Sequence, residues 1–352
     1  MSETPTPGGR LTINLGALAA NWRAVAAKVA GETSAVVKAN AYGIGIEAAG
    51  PALARAGCRT FFVALPSEAL RLRRAVPDAI IYVLAGLMPG SLPMLTANNL
   101  RPVLGSMPEI ADWAAAGAPI GSAVHVDTGM NRLGITPAEA VALDVASIRP
   151  SLVMSHFVVS EEPGDPLNRR QRDAFAEVRA AMPGIPASLA NSAGIYLGPE
   201  FHFDLVRPGI VLYGASPGPK VAGPMNIVVT AGARVLIVRD AQPGETVGYG
   251  ATRRLDRPTK IAVLGVGYAD GYHRIAKGGY VMIRGQNAPL LGRVSMDLTA
   301  VDVTDIPGVT RDDWAELFGP NLPVDEVAAW SGTVGYELLT GLGHRYERRY
   351  QD

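Results

Sequence analysis

Eight short apolar segments, separated by alanine-rich stretches, dominate the first two-thirds of the chain. Most of the intervening stretches carry apolar residues at helical spacing. Strands that alternate with helices lie parallel in one sheet, because each helix returns the chain to the same end. Eight such strands predict an α/β fold of the (β/α)8 TIM-barrel type, with an open doubly wound sheet as the alternative. The candidate strands are 34–39, 60–65, 79–85, 101–106, 122–128, 151–157, 186–191 and 202–207.

Alanine-rich, amphipathic patterns predict a helix before the first strand and others between the strands. The candidate helices are 16–30, 47–57, 67–76, 108–117, 137–147 and 168–182.

The sequence pattern changes near residue 224. Helical stretches become rare, and short apolar runs such as ARVLIVR and KIAVLGVGY are separated by turn signals such as QPGE and YADGY. This pattern predicts a second, mostly antiparallel β domain. We therefore expect a barrel domain over residues 1–223 and a β domain over residues 224–352.

Charge and cysteine content exclude several classes of protein. The formal net charge is +0, which argues against a general nucleic-acid or membrane surface, and no apolar run is long enough for a transmembrane helix. Cys58 is the single cysteine, and the five histidines lack ligand spacing, so we expect neither a disulfide nor a metal site. The N-terminal segment has no signal-peptide pattern, and we expect a cytoplasmic protein.

Polar side chains follow several of the predicted strands. Lys38 ends the first strand, directly after Val36 and Val37, and an ionisable or polar residue ends or follows four later strands. In a barrel of this type the carboxyl ends of the strands meet on one rim, where active sites lie. Each residue alone has a structural explanation, such as a helix cap or a buried structural histidine. Their common placement favours a functional site, whose later members are Arg132, His156, Ser192 and Arg207.

The loops after strands seven and eight are candidates for a phosphate site, as is common in such barrels. Ser192 offers a hydroxyl, and the N–H groups of Gly209 and Ile210 can donate to an anion that approaches closely. A phosphorylated ligand together with one buried lysine suggests pyridoxal 5′-phosphate, whose aldehyde would bond to the Lys38 amine. Spacing alone leaves this assignment open.

A set of motifs spread over nearly the whole chain resembles the alanine racemases. The set comprises VVKANAYGIG, DTGMNRLG, SHF, NSAG, RPGIVLYG, VGYG, VGYADGY, GRVSMD and GYELLTGLGHRY. The resemblance implies a pyridoxal-phosphate enzyme that interconverts L-alanine and D-alanine and supplies D-alanine for peptidoglycan. It also implies a homodimer whose active sites combine one subunit's barrel with the other subunit's β domain.

The matched motifs imply a role for each site residue. Lys38 corresponds to the cofactor-binding lysine and catalytic base, and Tyr268 to the opposing catalytic tyrosine, donated by the partner subunit. Arg132 and the backbone of Met296 correspond to contacts with the substrate carboxylate, and Tyr280 to an aromatic residue near the substrate entrance. The implied contacts with the cofactor are Tyr42, His156, Ser192, Arg207, Gly209 and Ile210.

The implied chemistry needs two groups on opposite faces of the substrate. Lys38 would exchange the Cα proton on one face and Tyr268 on the other. Arg207 would face the pyridine nitrogen, and because an arginine does not release its proton, the ring stays a weak electron sink. Side reactions such as transamination should therefore be limited.

Three other functions are consistent with parts of the pattern. A racemase that accepts serine or other small amino acids differs only in its pocket. Amino-acid decarboxylases of the same architecture typically place an acidic residue at the pyridine nitrogen and a cysteine in the β domain, whereas this chain has Arg207 and no such cysteine. Non-catalytic pyridoxal-phosphate carriers with a single barrel lack the β domain that contains Tyr268.

Three parts of the sequence depart from the family pattern. After the histidine motif, Ser160 and Glu161 stand where members often have a small residue and then Asp. Many members carry a carbamylated lysine seven residues before the substrate-binding arginine, where this chain has His125. Strand alternation predicts that Asp127 lies on the same face and partners the imidazole, with a bound anion or backbone carbonyls near Arg132 as the alternatives. Near the C-terminus, His344 stands where some members have a tyrosine that backs the catalytic tyrosine.

Overall fold

The computed structural model describes residues 8–218, 220–221, 225–274 and 278–352. These residues form two compact units, one of residues 18–226 and one that joins residues 8–17 to residues 227–352. The expected barrel domain of residues 1–223 is therefore wrong for the N-terminal strand, Gly9–Asn14. That strand pairs with Val229–Ala241 and Glu347–Gln351 of the β-rich unit, which supply its backbone hydrogen bonds.

The first unit contains a curled, seven-stranded parallel sheet whose strands are hydrogen-bonded in chain order. Most of its strand residues are buried, as expected for a parallel sheet covered on both faces. Strands one to seven are Ala35–Val36, Thr60–Val63, Ile80–Val83, Leu100–Leu104, Ala123–His125, Leu152–Met154 and Ala187–Ser188.

An eighth strand, Leu205–Val206, connects the two ends of this sheet. It pairs in parallel with Glu32–Thr33, just ahead of strand one. On the other side, the Arg207 N–H donates to the Ala190 carbonyl beyond strand seven at 2.9 Å. The eight observed strands overlap the eight predicted segments, and the prediction of a barrel-type α/β fold is confirmed.

Helices cover the stretches between the strands. Local capping explains several boundaries, because Ser106, Thr136 and Asp165 each accept a backbone N–H at the start of a helix that has proline in its first turn. The helices that involve this unit are Leu15–Ala26, Ile46–Ala56, Pro66–Ala75, Leu92–Ala97, Met107–Ala115, Pro137–Val141, Val145–Ile148 and Pro166–Ala181.

One predicted helix is divided in two. The sequence pattern predicts a single helix over residues 137–147, but the structure has Pro137–Val141 followed by Val145–Ile148. The Asp144 side chain accepts the Ala146 N–H and so begins a new helix. A side chain that competes locally for backbone donors is the physical reason for the break.

The second unit contains an eight-stranded, mostly antiparallel sheet, as predicted. The long strand Val229–Ala241 pairs with three neighbours along its length. Two short helices, Val324–Trp330 and Gly335–Thr340, lie between its last two strands. The eight strands are Gly9–Asn14, Val229–Ala241, Thr259–Leu264, Tyr280–Ile283, Gln286–Pro289, Thr299–Asp302, Trp314–Phe318 and Glu347–Gln351.

Within the described part of the chain, no helix has the length and apolar character needed to cross a bilayer.

Candidate active site

The segment that comes after strand one has an unusual backbone conformation. After Lys38, four consecutive residues, Ala39–Tyr42, have positive φ angles of 52°, 56°, 54° and 50°. They form one left-handed turn, which costs about 1–2 kcal/mol for each residue with a Cβ atom. Neighbouring groups must therefore hold the turn, and the turn fixes where Lys38 leaves the strand.

A network of polar side chains holds this left-handed turn. The Asn40 N–H donates to Glu68 Oε1 at 3.1 Å. The Asn40 side-chain oxygen accepts from the Ile46 N–H at 3.1 Å and from Arg71 Nη2 at 2.7 Å. Arg71 also binds both oxygens of Glu47, at 2.6 and 2.7 Å. The helices that begin at Ile46 and Pro66 thus anchor the backbone beside Lys38.

The Lys38 amine lies in an environment that favours its neutral form. Burial lowers its pKa, the positive charge of Arg132 lowers it further, and the carboxylate of Glu68 acts in the opposite direction. A lysine that loses its proton more readily than usual is suited to bond with a carbonyl carbon or to accept a proton.

Arg207, at the end of strand eight, is only 4% exposed. Its Nη1 donates to Ser188 Oγ at 2.5 Å, and its Nη2 donates to the Ser155 carbonyl at 2.5 Å and to the Leu189 carbonyl at 3.3 Å. Nη2 also lies 3.3 Å from His156 Nδ1. Among the described residues, no group accepts from Nε–H, so this donor remains for a ligand.

The charges of Arg207 and His156 are coupled. Burial lowers the pKa of Arg207 to about 9, so the guanidinium stays protonated near neutral pH. Burial and the nearby Arg207 charge lower the pKa of His156 well below its usual value. A neutral imidazole can accept at Nδ1 from Arg207 Nη2, and the pair therefore carries a single positive charge.

Gln171, on helix Pro166–Ala181, fixes the loop that contains His156. Its Nε2 donates to the His156 carbonyl at 3.0 Å and to Thr128 Oγ1 at 3.1 Å, while its Oε1 accepts from the Val158 N–H at 2.9 Å. Because all these groups are buried or half-buried, their hydrogen bonds specify one loop conformation.

The predicted phosphate contacts lie together. The Gly209 N–H donates to Ser192 Oγ at 2.8 Å. A Cβ atom at Gly209 would lie 2.3 Å from the Tyr42 hydroxyl, so only glycine allows this close approach. Ile210 begins a 3-10 turn, whose first N–H groups have no acceptor within the turn. Tyr42 is held by stacking on Tyr213, with ring centroids 4.5 Å apart. This arrangement suits a small anion such as phosphate.

Asp127 does not play the part that strand alternation predicts. Its Oδ1 accepts the N–H groups of residues 129–130 at 2.8 and 2.7 Å and so stabilises the loop that leads to Arg132. The structure has no hydrogen bond between Asp127 and His125, so Asp127 acts on the imidazole only through its charge, which opposes the lowering of the His125 pKa. Burial, with a contribution from the Arg207 charge, lowers the pKa of His125 to about 4, so this imidazole is neutral.

In the β-rich unit, two predicted site residues lie on adjoining loops. Tyr268 begins the 3-10 turn Tyr268–Asp270, and its N–H donates to the Ser295 carbonyl at 3.0 Å. The next N–H, of Ala269, donates to the Met296 carbonyl at 2.9 Å. The Tyr268 side chain is 39% exposed. Within the described part of the chain, nothing accepts from the Met296 N–H, which is therefore available to a ligand.

Tyr280, the predicted entrance residue, lies on strand Tyr280–Ile283. Its hydroxyl donates to Glu326 Oε1 at 2.8 Å, and this hydrogen bond raises the pKa of Tyr280. Its ring centroid lies 4.9 Å from that of Trp330. The helix Val324–Trp330 therefore fixes both ends of this side chain.

Sequence reasoning missed three residues that organise the site, namely Glu68, Ser188 and Gln171. Glu68 carries a usable signal, because a glutamate in the first turn of a helix after Leu65-Pro66 indicates a cap, although not one that also holds Asn40. Ser188 and Gln171 are fully buried polar residues within a predicted strand and a predicted helix. No local pattern separates them from structural neighbours.

Two family models together match most of the chain. The alanine racemase N-terminal domain matches residues 13–217, and the alanine racemase C-terminal domain matches residues 228–350.

Individual relatives agree over the full length. Alanine racemase from Methylobacterium sp. (strain 4-46) is 51% identical, with 100% of both chains covered. Alanine racemase from Rhizobium meliloti (strain 1021) is 48% identical, with 99% of this chain and 98% of the relative covered.

Solved structures give the same result. Alanine racemase from Bartonella henselae, solved with covalently bound pyridoxal phosphate, matches with a TM-score of 0.94 and 39% identity over 99% of this chain and 100% of the other. Biosynthetic alanine racemase from Pseudomonas aeruginosa matches with a TM-score of 0.91 and 34% identity over 99% of this chain and 100% of the other. On these grounds the chain belongs to the alanine racemase family.

Proposed function

We propose that this protein is a pyridoxal-phosphate-dependent racemase that interconverts L-alanine and D-alanine. The proposal rests on one observation: three groups lie near the ends of strands within one unit. They are the Lys38 amine with its lowered pKa, the buried Arg207 cation and the Gly209–Ser192–Tyr42 cluster. When bound, pyridoxal phosphate supplies an electron-withdrawing ring that acidifies the Cα–H bond of an attached amino acid.

The residues on the barrel rim fit this cofactor. Ser192, Tyr42 and the Ile210 N–H would hold its phosphate, and the Gly209 N–H would turn to the phosphate from Ser192 Oγ, to which it donates in the structure. Arg207 would donate to the pyridine nitrogen through Nε–H, the donor that has no acceptor among the described residues. Lys38 would bond to the aldehyde. His156 would stabilise Arg207 without adding a second charge, because its imidazole is neutral.

The substrate would be bound at its carboxylate and exchanged at Cα. Arg132 is exposed and its charge reaches Lys38, so it is suited to attract the carboxylate, and the Met296 N–H offers a second donor. Lys38 would move the proton on one face and Tyr268, from the partner subunit, on the other. Tyr280 would narrow the entrance. Alanine is the substrate that the relatives support, and serine remains the alternative to be assayed.

Arg207 also supports racemisation over the alternatives. A pyridine ring that only accepts a hydrogen bond from arginine withdraws electrons from the substrate less strongly than a ring with a protonated nitrogen. Side reactions are therefore limited. The acidic residue and the β-domain cysteine typical of the related decarboxylases have no counterparts here, since Cys58 lies in the barrel unit.

The active form would be a homodimer, located in the cytoplasm, that supplies D-alanine for peptidoglycan. The β-rich unit exposes several large apolar side chains, and a second copy of the chain would cover them. These side chains are Leu236, Ile237, Tyr249, Tyr268, Met296 and Leu298.

Two measurements test the function: one finds the lysine that binds the cofactor, and the other identifies the product. Borohydride reduction of purified protein followed by peptide mapping should find pyridoxal phosphate on Lys38, because burial and the Arg132 charge lower the pKa of this amine. Chiral analysis should show D-alanine formed from L-alanine. A label on Lys28 or Lys260 instead, or a full label without racemisation of any small amino acid, would contradict the proposal.

Replacement of Tyr268 by phenylalanine should affect proton exchange on the two faces of the substrate differently. Racemisation should fall by about 10²–10⁴-fold, the usual contribution of an acid–base group, with the cofactor still bound. We assign the proton of D-alanine to Lys38 and that of L-alanine to Tyr268, so exchange of the Cα hydrogen of D-alanine should survive better than exchange from L-alanine. Tyr249→Phe, at an exposed tyrosine of the same unit, is the matched control and should change neither rate. Equal loss of both exchanges would exclude the two-base assignment.

Shared active sites predict complementation between inactive variants. Lys38→Ala and Tyr268→Phe chains should each be inactive, whereas their mixed dimer has one site with both groups intact. Random exchange of subunits should then restore about a quarter of wild-type activity. No recovery, after mass spectrometry has confirmed mixed dimers, would place both groups of a site in one chain.

Because His125 stands where many relatives have a carbamylated lysine, we expect the racemase activity not to depend on bicarbonate. A neutral imidazole does not form the stable carbamate that a lysine forms, and the pKa of His125, about 4, keeps it neutral at working pH. Initial rates in carbon-dioxide-depleted buffer should therefore equal those with added bicarbonate. His125→Lys is the matched variant and should acquire a bicarbonate requirement. Activation of the unsubstituted enzyme by bicarbonate would overturn this prediction.

A further inference from the structure

One guanidinium connects the two loops that contain Tyr268 and Met296. Arg345 Nε and Nη2 donate to Asp270 Oδ1 and Oδ2 at 2.6 and 2.8 Å, a bidentate pair. Its Nη1 donates to Asp297 Oδ1 at 2.8 Å. Asp270 ends the Tyr268 turn and Asp297 is the residue directly after Met296, so the three contacts span both loops.

Asp270 passes this constraint to the backbone of the Tyr268 turn. Its Oδ2 also accepts the Gly267 N–H at 2.9 Å, and its own N–H donates to the Gly267 carbonyl at 3.0 Å. Asp270 is 5% exposed, which makes it a buried carboxylate that needs a cationic partner. Arg345 supplies that partner and so stabilises the carboxylate that closes the turn.

The two loops touch without any side chain between them. A Cβ atom at Gly267 would lie 2.3 Å from the Ser295 carbonyl and 2.4 Å from the Met296 carbonyl. The backbones therefore lie in direct contact at Gly267, and the Tyr268 ring, which is 39% exposed, adds little packing to hold the two loops together. A shift of either loop would move the Tyr268 hydroxyl relative to the Met296 N–H.

We propose that Arg345 is a positioning residue for catalysis: it holds the Tyr268 turn and the Met296 loop in one arrangement, so that the proton-transferring hydroxyl and a carboxylate-binding N–H keep a fixed separation. The proposal rests on the proposed racemase function. Its chemical requirement is the forked geometry of arginine, because a lysine ammonium supplies the charge but cannot bind Asp270 through two parallel bonds and reach Asp297 as well.

The test uses Arg345→Lys in the holoenzyme and compares proton exchange on the two faces of alanine. Displacement of a catalytic group by about 1 Å can cost about 10²-fold in rate. Exchange at Cα of L-alanine and racemisation should therefore fall by about 10-fold or more, while exchange of D-alanine, which depends on Lys38, should change by less than about 3-fold. Cofactor occupancy should be unchanged. A purely structural role would lower both exchanges together, and that result would overturn the proposal.

A matched control is present in the same unit. Arg257 also pairs with two aspartates, binding Asp305 at 2.5 and 3.1 Å and Asp302 at 3.5 Å, but it lies on neither of the two loops. Arg257→Lys should leave both exchange rates unchanged. Asp297→Ala, at an exposed carboxylate, removes only the acceptor of the Nη1 contact and should produce the same asymmetry, but smaller. If Arg345→Lys does not fold, equal exchange losses in Asp297→Ala would overturn the proposal.

Hydrogen–deuterium exchange of the apoprotein separates this proposal from the function on which it rests. Arg345→Lys should accelerate amide exchange in peptides that cover residues 266–272 and 294–298. In the first peptide the Tyr268 and Ala269 N–H groups bond across the two loops, and in the second the Ser295 N–H bonds to the Leu298 carbonyl within the loop that Asp297 anchors. Arg257→Lys should not. Unchanged exchange in both peptides would overturn the positioning role. Wild-type protein that fails to racemise alanine would instead refute the proposed function, whatever the peptides show.

Discussion

The barrel site depends on one constraint, the buried charge of the Arg207 guanidinium. Among the described residues, this cation has no carboxylate partner. Removal of a charge from water costs several kcal/mol, and here only neutral groups offset that cost. The acceptors are Ser188, carbonyls at the ends of strands six and seven, and His156. Each must be placed within hydrogen-bond distance for the fold to tolerate the charge. The charge that shapes the site also helps to keep its histidines neutral.

The position of Lys38 depends on a second constraint, which comes from backbone conformation rather than from charge. Four residues with side chains occupy the left-handed region directly after it, a conformation that isolated chains avoid. Glu68 and Arg71 stabilise this turn from a neighbouring helix. The network therefore fixes the backbone from which the Lys38 side chain leaves the strand.

Sequence patterns predicted the eight strands of the barrel unit, some strands of the β-rich unit and most helices, because apolar periodicity reflects directly which faces are buried. They failed where the decisive contact is remote in sequence. Gly9–Asn14 gave no sign that its partners lie at residues 229–241 and 347–351. Asp127 was assigned to His125 by strand alternation, but the next loop supplies nearer donors in its backbone N–H groups. Lys38, Arg207, Ser192 and Gly209 could be predicted as site residues because the chemistry of such a site constrains the residue types.

The sequence by itself determined the alternation of strands and helices, the change to a β-rich unit and the identities of the chemical groups, since each depends on local spacing or on a matched motif. Only the tertiary structure decided what holds those groups. Glu68, Gln171, Ser188 and Arg345 look like ordinary polar residues in the sequence, and they become significant through contacts with residues far along the chain. Hydrogen bonds need specific distances and angles, and only the folded chain sets these between remote segments.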